Sequence, residues 1–276
     1  MLNCSFTHIP SVGASTEQRI WHSGIHSMDD FLATPPAFLS AKKRQTMAEH
    51  IRISKDHLHR GDAGYFYDHL PSREHWRIFR EFQQRCVYLD IETTGLSSFG
   101  DIITTIALYD GRRVQHFING ENLDDFPAAL QQYDVIVTYN GKTFDIPFIE
   151  QFFGITVSQP HIDLRYILGS LGYRGGLKSC EKQLGIGRDG DLAEVDGFFA
   201  VLLWHDYQRN KQRESLDTLL AYNIEDVLNL EYLMITAYNK KLLSLPVSLS
   251  SLTVPKPVEN PFAIHGPTVR RLQGRY

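Results

Sequence analysis

Cys86-Val-Tyr-Leu-Asp-Ile-Glu-Thr-Thr-Gly-Leu96 is an apolar run that acquires two acids, Asp90 and Glu92, just before it ends. Alternate residues of a strand share a face, so a strand here points both carboxylates the same way. Two carboxylates side by side at the end of an apolar strand make half of a site for a hard cation. The pair alone decides little, since at roughly 6% usage of each acid Asp-x-Glu arises about once in this length by chance. What accompanies it carries the weight.

Downstream, Ile102–Leu108 and Val114–Ile118 read as strands flanking Asp110-Gly111, a dipeptide favoured in tight hairpins. Asp134–Tyr139 reads as a fourth strand, a helix is predicted from about Thr143, and Tyr166 to about Leu243 is mostly helical. Three adjacent antiparallel strands followed by helix and strand alternation predict an α/β fold, a mixed sheet covered by helices. Upstream, residues 36–85 read as a helical connector with a solvated charge run at Lys42-Lys43-Arg44. Within it Trp76, Phe79 and Phe82 recur at helical spacing and pack the segment onto the following domain.

Residues 1–35 form a small helical unit. Ile9-Pro-Ser-Val-Gly13 is a turn, Ser15 or Thr16 can cap a helix that Gly24 ends, and Ser27 caps a second. This pattern resembles the later half of a helix-hairpin-helix module, with Ser11 where that family has its first hairpin glycine. Phosphate binding and a purely structural role both stay open for it. The domain expected over 86–243 is followed by a Pro-containing tail, 244–276, carrying Pro246, Pro255, Pro257, Pro261 and Pro267, which reads as extended or poorly ordered.

Among 276 residues, 42% hydrophobic content suffices for a core, and the net charge of −4 provides no global basic footprint for nucleic acid. Any such partner must meet a local patch or a bound metal. Cys4, Cys86 and Cys180 are odd in number and lack zinc spacing, which points to a reduced compartment. No stretch of eighteen apolar residues and no basic-then-apolar N-terminus occurs, so a soluble cytoplasmic protein without membrane contact is expected. The twelve histidines read mostly as surface or capping residues.

Two further acidic elements follow. In Thr138-Tyr-Asn-Gly-Lys-Thr-Phe-Asp145, a strand ends at Asn140-Gly141 and Asp145 falls in the first turn of the next helix. Ligands gather at such strand ends, although a first-turn acid also simply favours the helix dipole. In Tyr222-Asn-Ile-Glu-Asp226, Tyr222 and Asp226 are four apart and share a helix face.

The three elements in this order resemble the DEDDy 3′→5′ exonucleases of the ribonuclease-H-like superfamily. The middle one is similar to that of family B polymerase proofreading domains. Within the superfamily, residues 86–240 most resemble the bacterial YprB-type family, which also shows a run like Gly172-Tyr-Arg-Gly-Gly-Leu-Lys-Ser-Cys-Glu-Lys-Gln-Leu-Gly185. The resemblance implies that Asp90, Glu92, Asp145 and Asp226 bind two divalent cations, with Asp90 bridging them and Tyr222 orienting the attacking water. Oxygen-only ligands select Mg²⁺ or Mn²⁺ over zinc, and four crowded carboxylates cannot all stay ionised without cations. Two ions about 4 Å apart lower the pKa of water and hold the leaving oxygen. By the same resemblance Thr93, Thr94 and Leu96 line the terminal-nucleotide pocket. Asn140 and Phe144 touch the adjoining nucleotide, and Arg174 and Lys178 are candidates for phosphate contacts, or ordinary surface charges. The expected partner is single-stranded DNA or RNA. A structure-specific endonuclease and a catalytically silent nucleic-acid-binding scaffold are the alternatives.

Overall fold

The computed structural model describes residues 1–187, 197–256 and 258–274. Pro257 of the tail lies outside them. The N-terminal third is helical: α1 (Ala14–His22), α2 (Met28–Ala33), α3 (Ala41–His59), α4 (Ala63–His69), a 3₁₀ turn over Ser72–Ile78 and α5 (Phe79–Phe82). Ser27 caps α2 by accepting from the Asp30 amide, whereas Gly13 rather than Ser15 or Thr16 precedes α1. Ser11 takes a φ of +64°, the left-handed conformation that favours glycine, at the hairpin position singled out above. Trp76 and Phe79 pack on Tyr238, with ring centroids 5.4 and 6.2 Å apart. One apolar cluster continues from Met1 through this region to Leu272.

Strands β1 (Cys86–Thr93), β2 (Ile103–Tyr109) and β3 (Val114–Ile118) form an antiparallel meander. Next come α6 (Phe126–Leu130), β4 (Val135–Thr138), α7 (Asp145–Phe153), β5 (His161–Asp163), α8 (Leu164–Ser170) and α9 (Leu177–Gln183). Two helices close the domain, α10 (Gly197–Asn210) and α11 (Arg213–Leu243), and α12 (Gly266–Gln273) follows. The sheet order is β3-β2-β1-β4-β5, with β4 and β5 joined in parallel to the central β1. This mixed five-stranded sheet flanked by helices is the expected α/β architecture. The three-residue β5, buried throughout, is an addition to it.

Strand alternation divides β1 between two cores. Val87, Leu89 and Ile91 join the cluster containing Phe126, Phe148 and Ile149 of α6 and α7. Cys86 and Tyr88 face the other way, into the cluster built on α10 and α11. The same period places Asp90 and Glu92 on that second face. A bulge between Glu92 and Thr93 breaks the register with β2 at this point, a device that bends a strand and re-aims its side chains.

The tail is extended but not loose. The Leu252 amide donates to Asn239 Oδ1 and Asn239 Nδ2 returns a bond to the Leu252 carbonyl, both 2.8 Å. Asn260 Nδ2 reaches the Ala221 carbonyl at 2.7 Å, and the His265 amide reaches Thr218 Oγ1 at 3.1 Å. The chain therefore runs back along α11, towards its N-terminus, and ends in α12. A poorly ordered tail is thus corrected: Pro267 starts a helix, at a position where its missing N–H costs nothing.

Arg271 fastens α12 by donating to Asp206 Oδ1 and Oδ2 at 2.9 and 2.6 Å. Arg271, then Ser215 and Asn210, hold the Asp206 carboxyl well below the usual carboxylate range. A depressed folded-state pKa contributes stability above the unfolded value of about 3.9 that is lost as pH falls further. Arg271→Ala is therefore expected to lower Tm at pH 7, with the gap to wild type narrowing below about pH 4. Thermal melts across that range check it.

Candidate active site

Asp90 and Glu92, presented by β1, meet Asp226 from α11, so that a carboxylate oxygen of each lies within 4.8 Å of the other two. Glu92, Asp145 and Asp226 are buried and Asp90 is half-buried. Asp145, in the first turn of α7, accepts from the Ile91 amide of β1 at 3.3 Å. Three distant chain segments thus bring four acids to one end of the central strand.

The electrostatics follow from the crowding. Burial, then the negative charges of Asp226, Asp145 and Glu92, push the Asp90 carboxyl far above the usual carboxylate range. Asp145 is pushed up to about 7, chiefly by burial, against the lowering effect of its own and the Ile91 amide. Neighbouring carboxylates that cannot all ionise cheaply are what a divalent cation compensates, and an all-oxygen donor set suits Mg²⁺ or Mn²⁺. The residues present fit such ions.

Tyr222 lies one turn before Asp226 on α11 and is buried; Lys178 Nζ stands 4.9 Å from its ring centroid. Lys178 thus stands beside Tyr222 from α9. Arg174, four residues earlier, is exposed and opens onto an adjacent cleft instead of the acid cluster.

Thr93, Thr94 and Leu96 begin the loop that leaves β1. Thr93 Oγ1 donates to the Gly95 carbonyl at 2.5 Å, and Thr94 Oγ1 donates to Asp101 at 3.1 Å. Asp101 also accepts from the Ser97 amide at 2.9 Å, closing the loop on itself. A side chain on Gly95 would run into Asp101, with Cβ 2.7 Å from its Cγ. So fixed, the loop leaves Leu96 and Phe99 87% and 89% exposed. Phe144 is half-buried, its ring 5.7 Å from Phe148, and packs on the core beneath α7.

Asn140 takes a φ of +68° at the turn from β4 into α7. Its side chain accepts from Thr143 Oγ1 at 2.8 Å and from Arg165. Both oxygens of buried Asp163 are occupied by this turn, accepting from the amides of Asn140 (2.8 Å), Lys142 (3.1 Å) and Arg165 (3.0 Å). Gly141 completes it, because a Cβ there would lie 2.7 Å from Thr138 Cβ and overlap its hydroxyl. Gly141→Ala is expected to displace Asp145, costing about 1–3 kcal/mol of stability. Chemical denaturation measures that loss, and any cation-dependent activity falls with it.

Asn223 escaped the sequence reading. It is fully buried, donates to Asp90 Oδ2 at 2.7 Å and accepts from Thr105 Oγ1 at 3.0 Å. That bond favours the ionised Asp90. Its signal was present, since Asn223 lies three residues before Asp226 and so shares its helix face. Asp101 and Asp163 left no comparable trace, because Asp163 binds backbone amides and Asp101 only the Thr94 hydroxyl and Ser97 amide of its own loop.

A family model described as the RNase_H superfamily matches residues 87–238, more than half of the chain. The chain belongs to the RNase_H superfamily. It is 30% identical over 181 residues to the uncharacterized protein YprB of Bacillus subtilis (strain 168), covering 57% of this chain and 42% of YprB. The chain thus spans well under half the length of that relative. Among solved structures, it is similar to the family B DNA polymerase of the archaeon Pyrobaculum calidifontis (TM-score 0.44, 19% identity, covering 58% of this chain and 24% of the polymerase). It is also similar to Brucella melitensis NrnC bound to pGG (TM-score 0.41, 18% identity, covering 60% and 76% of the respective chains). No described helix of this RNase_H-superfamily protein is long and apolar enough to cross a membrane.

Proposed function

We propose that the chain is a cation-dependent 3′→5′ exonuclease acting on single-stranded DNA or RNA. The observation that carries this reading is the gathering of Asp90, Glu92 and Asp226 within 4.8 Å, in a chain of the RNase_H superfamily. In this reading Asp90, Glu92, Asp145 and Asp226 hold two Mg²⁺ or Mn²⁺ ions, which supply a lowered pKa for water and charge stabilisation at phosphorus. Asn223 favours the ionised form of Asp90 and aims it. Tyr222 positions the attacking water; a phenol whose free pKa is near 10 serves better as a hydrogen-bonding group than as the base. Lys178, above the Tyr222 ring, meets the phosphate.

Thr93, Thr94 and Leu96 receive the terminal nucleotide, and exposed Phe99 extends their apolar surface. Asn140 and Phe144 shape the floor under the next nucleotide, since the Asn140 amide oxygen is already occupied and the Phe144 ring is part of the core. A cytoplasmic setting belongs to the same reading, with Cys4, Cys86 and Cys180 all unpaired.

The test is incubation of 5′-labelled DNA and RNA strands, and of a closed circular single strand, with Mg²⁺ or Mn²⁺. A ladder of shortened linear products with an intact circle supports the reading. Cutting of the circle makes the protein an endonuclease, and no cutting of any strand leaves a scaffold.

A further inference from the structure

Beside the acid cluster lies a cleft of about 790 Å³ lined by Tyr139, Asn140, Arg165, Tyr166, Tyr173 and Arg174, together with three glycines. No acid lines it. Its setting is notable in a chain of net charge −4. Asp163, nearby in sequence, is buried with both oxygens held by amides.

Both walls of the cleft lead to the acids. On one side Asn140 begins the turn that delivers Phe144 and Asp145. On the other, Gly175 accepts a bond from the Tyr139 hydroxyl, and the chain runs on through Gly176 into α9, where Lys178 covers the Tyr222 ring. Gly175 has a φ of +110°, and a Cβ there would stand 2.7 Å from Ser179, so this wall is built for close backbone approach. At the far end Tyr166 is shared with a second hollow of about 420 Å³, which Arg73, His75 and Lys142 also line.

Tyr166 is 55% exposed, and no other ring stacks on it among the described residues. Arg165 and Arg174 are exposed and pair with no carboxylate among the described residues. Planar aromatics interleaved with guanidinium groups, and free of acids, suit a polynucleotide: each base offers a face to stack on and each phosphate a charge to meet. A duplex presents its bases edge-on, so the stacking surface selects an unpaired strand.

We propose that this cleft holds the single-stranded polynucleotide upstream of its 3′ end, with Tyr166 stacking on a base and Arg165 and Arg174 contacting phosphates. The direction of the strand rests on the nuclease reading above, whereas its seat in the cleft does not. Affinity therefore grows with strand length until the cleft is filled.

The experiment measures fluorescence anisotropy of 5′-fluorescein-labelled dT12 and rU12 with Ca²⁺ in place of Mg²⁺, over a range of salt. Hydrolysis of the same strands in Mg²⁺ or Mn²⁺ is followed in parallel. Tyr166→Ala is expected to weaken binding about tenfold while Tyr166→Phe stays within about twofold, because the face stacks and not the hydroxyl. Arg174→Ala is expected to lower the slope of log affinity against log salt by about 0.7, one phosphate contact on a single strand. Unequal losses for dT12 and rU12 show which sugar the cleft prefers. If Tyr166→Ala and Arg174→Ala bind both strands as the wild type does, the proposal is overturned, even where the wild type shortens strands and the nuclease reading stands. If the variants lose affinity but the wild type shortens nothing, the nuclease reading falls and the binding cleft remains.

Discussion

Asp90→Asn is expected to abolish cation-dependent hydrolysis, lowering the rate at least 10²–10³-fold, the scale of losing one preorganised electrostatic group from an active site. The change is nearly isosteric, so the loss reads out charge and not packing. The same variant is expected to melt at a higher temperature than wild type in EDTA. Without a cation, burial and then Asp226, Asp145 and Glu92 hold the Asp90 proton far above the usual carboxylate range. A folded-state pKa raised above the unfolded value means that the native chain binds more protons than the unfolded chain between the two, so stability falls as pH rises. Asp145, pushed up to about 7, behaves in the same way. In EDTA the wild type should therefore lose Tm between about pH 4 and pH 7, and Asp90→Asn should lose less. Added Mn²⁺ should raise Tm of the wild type far more than that of the variant. Gain of stability with loss of activity is the signature of a carboxylate kept for cations; a merely structural Asp90 would lose both.

Arg77→Ala is expected to destabilise the whole chain by about 3–5 kcal/mol, the cost of leaving a buried partner charge uncompensated. Arg77 and Glu17 side chains are 3% and 1% exposed. The guanidinium donates to Glu17 Oε1 and Oε2 at 2.8 and 2.9 Å, to Ser5 Oγ at 2.9 Å and to Glu74 at 2.8 Å. Glu17 Oε1 also accepts from the Phe6 amide at 2.7 Å, fixing the chain before the Ile9–Gly13 hairpin. Arg77→Lys should restore little, since an ammonium cannot form the two parallel bonds to one carboxylate. The effect should be global, because residues 1–35 share their apolar cluster with α11. A single urea transition shifted to lower concentration is the expected record. An unshifted transition would mean that the N-terminal unit adds nothing to the stability of the sheet.

Much of the candidate site was legible because its residues obey simple periods. Asp90 and Glu92 alternate on β1, Tyr222 and Asp226 are a helical turn apart, and Asp110-Gly111 does form the β2–β3 connection, with Gly111 at a φ of +84°. The three pieces carry their order in the chain, which is all the family resemblance needed. The rest is set by distant contacts. β5 has three residues, too few for any period to show, yet its Asp163 fixes the turn before α7. The tail is ordered by Asn239, Ala221 and Thr218 of α11, and prolines that read as breakers are compatible with an extended strap and a helix start. The cleft at Tyr166 brings together residues from the β4–α7 turn, α8 and the loop before α9, so no local pattern announces it.

The central claim is that side chains from β1 and α11 jointly capture divalent cations. Anomalous scattering from a crystal of the protein soaked in Mn²⁺ tests it most directly. The expected result is a peak within roughly 2.0–2.6 Å of carboxylate oxygens from both Asp90 and Asp226. A well-ordered site with no peak, or an ion touching a single acid, would contradict it.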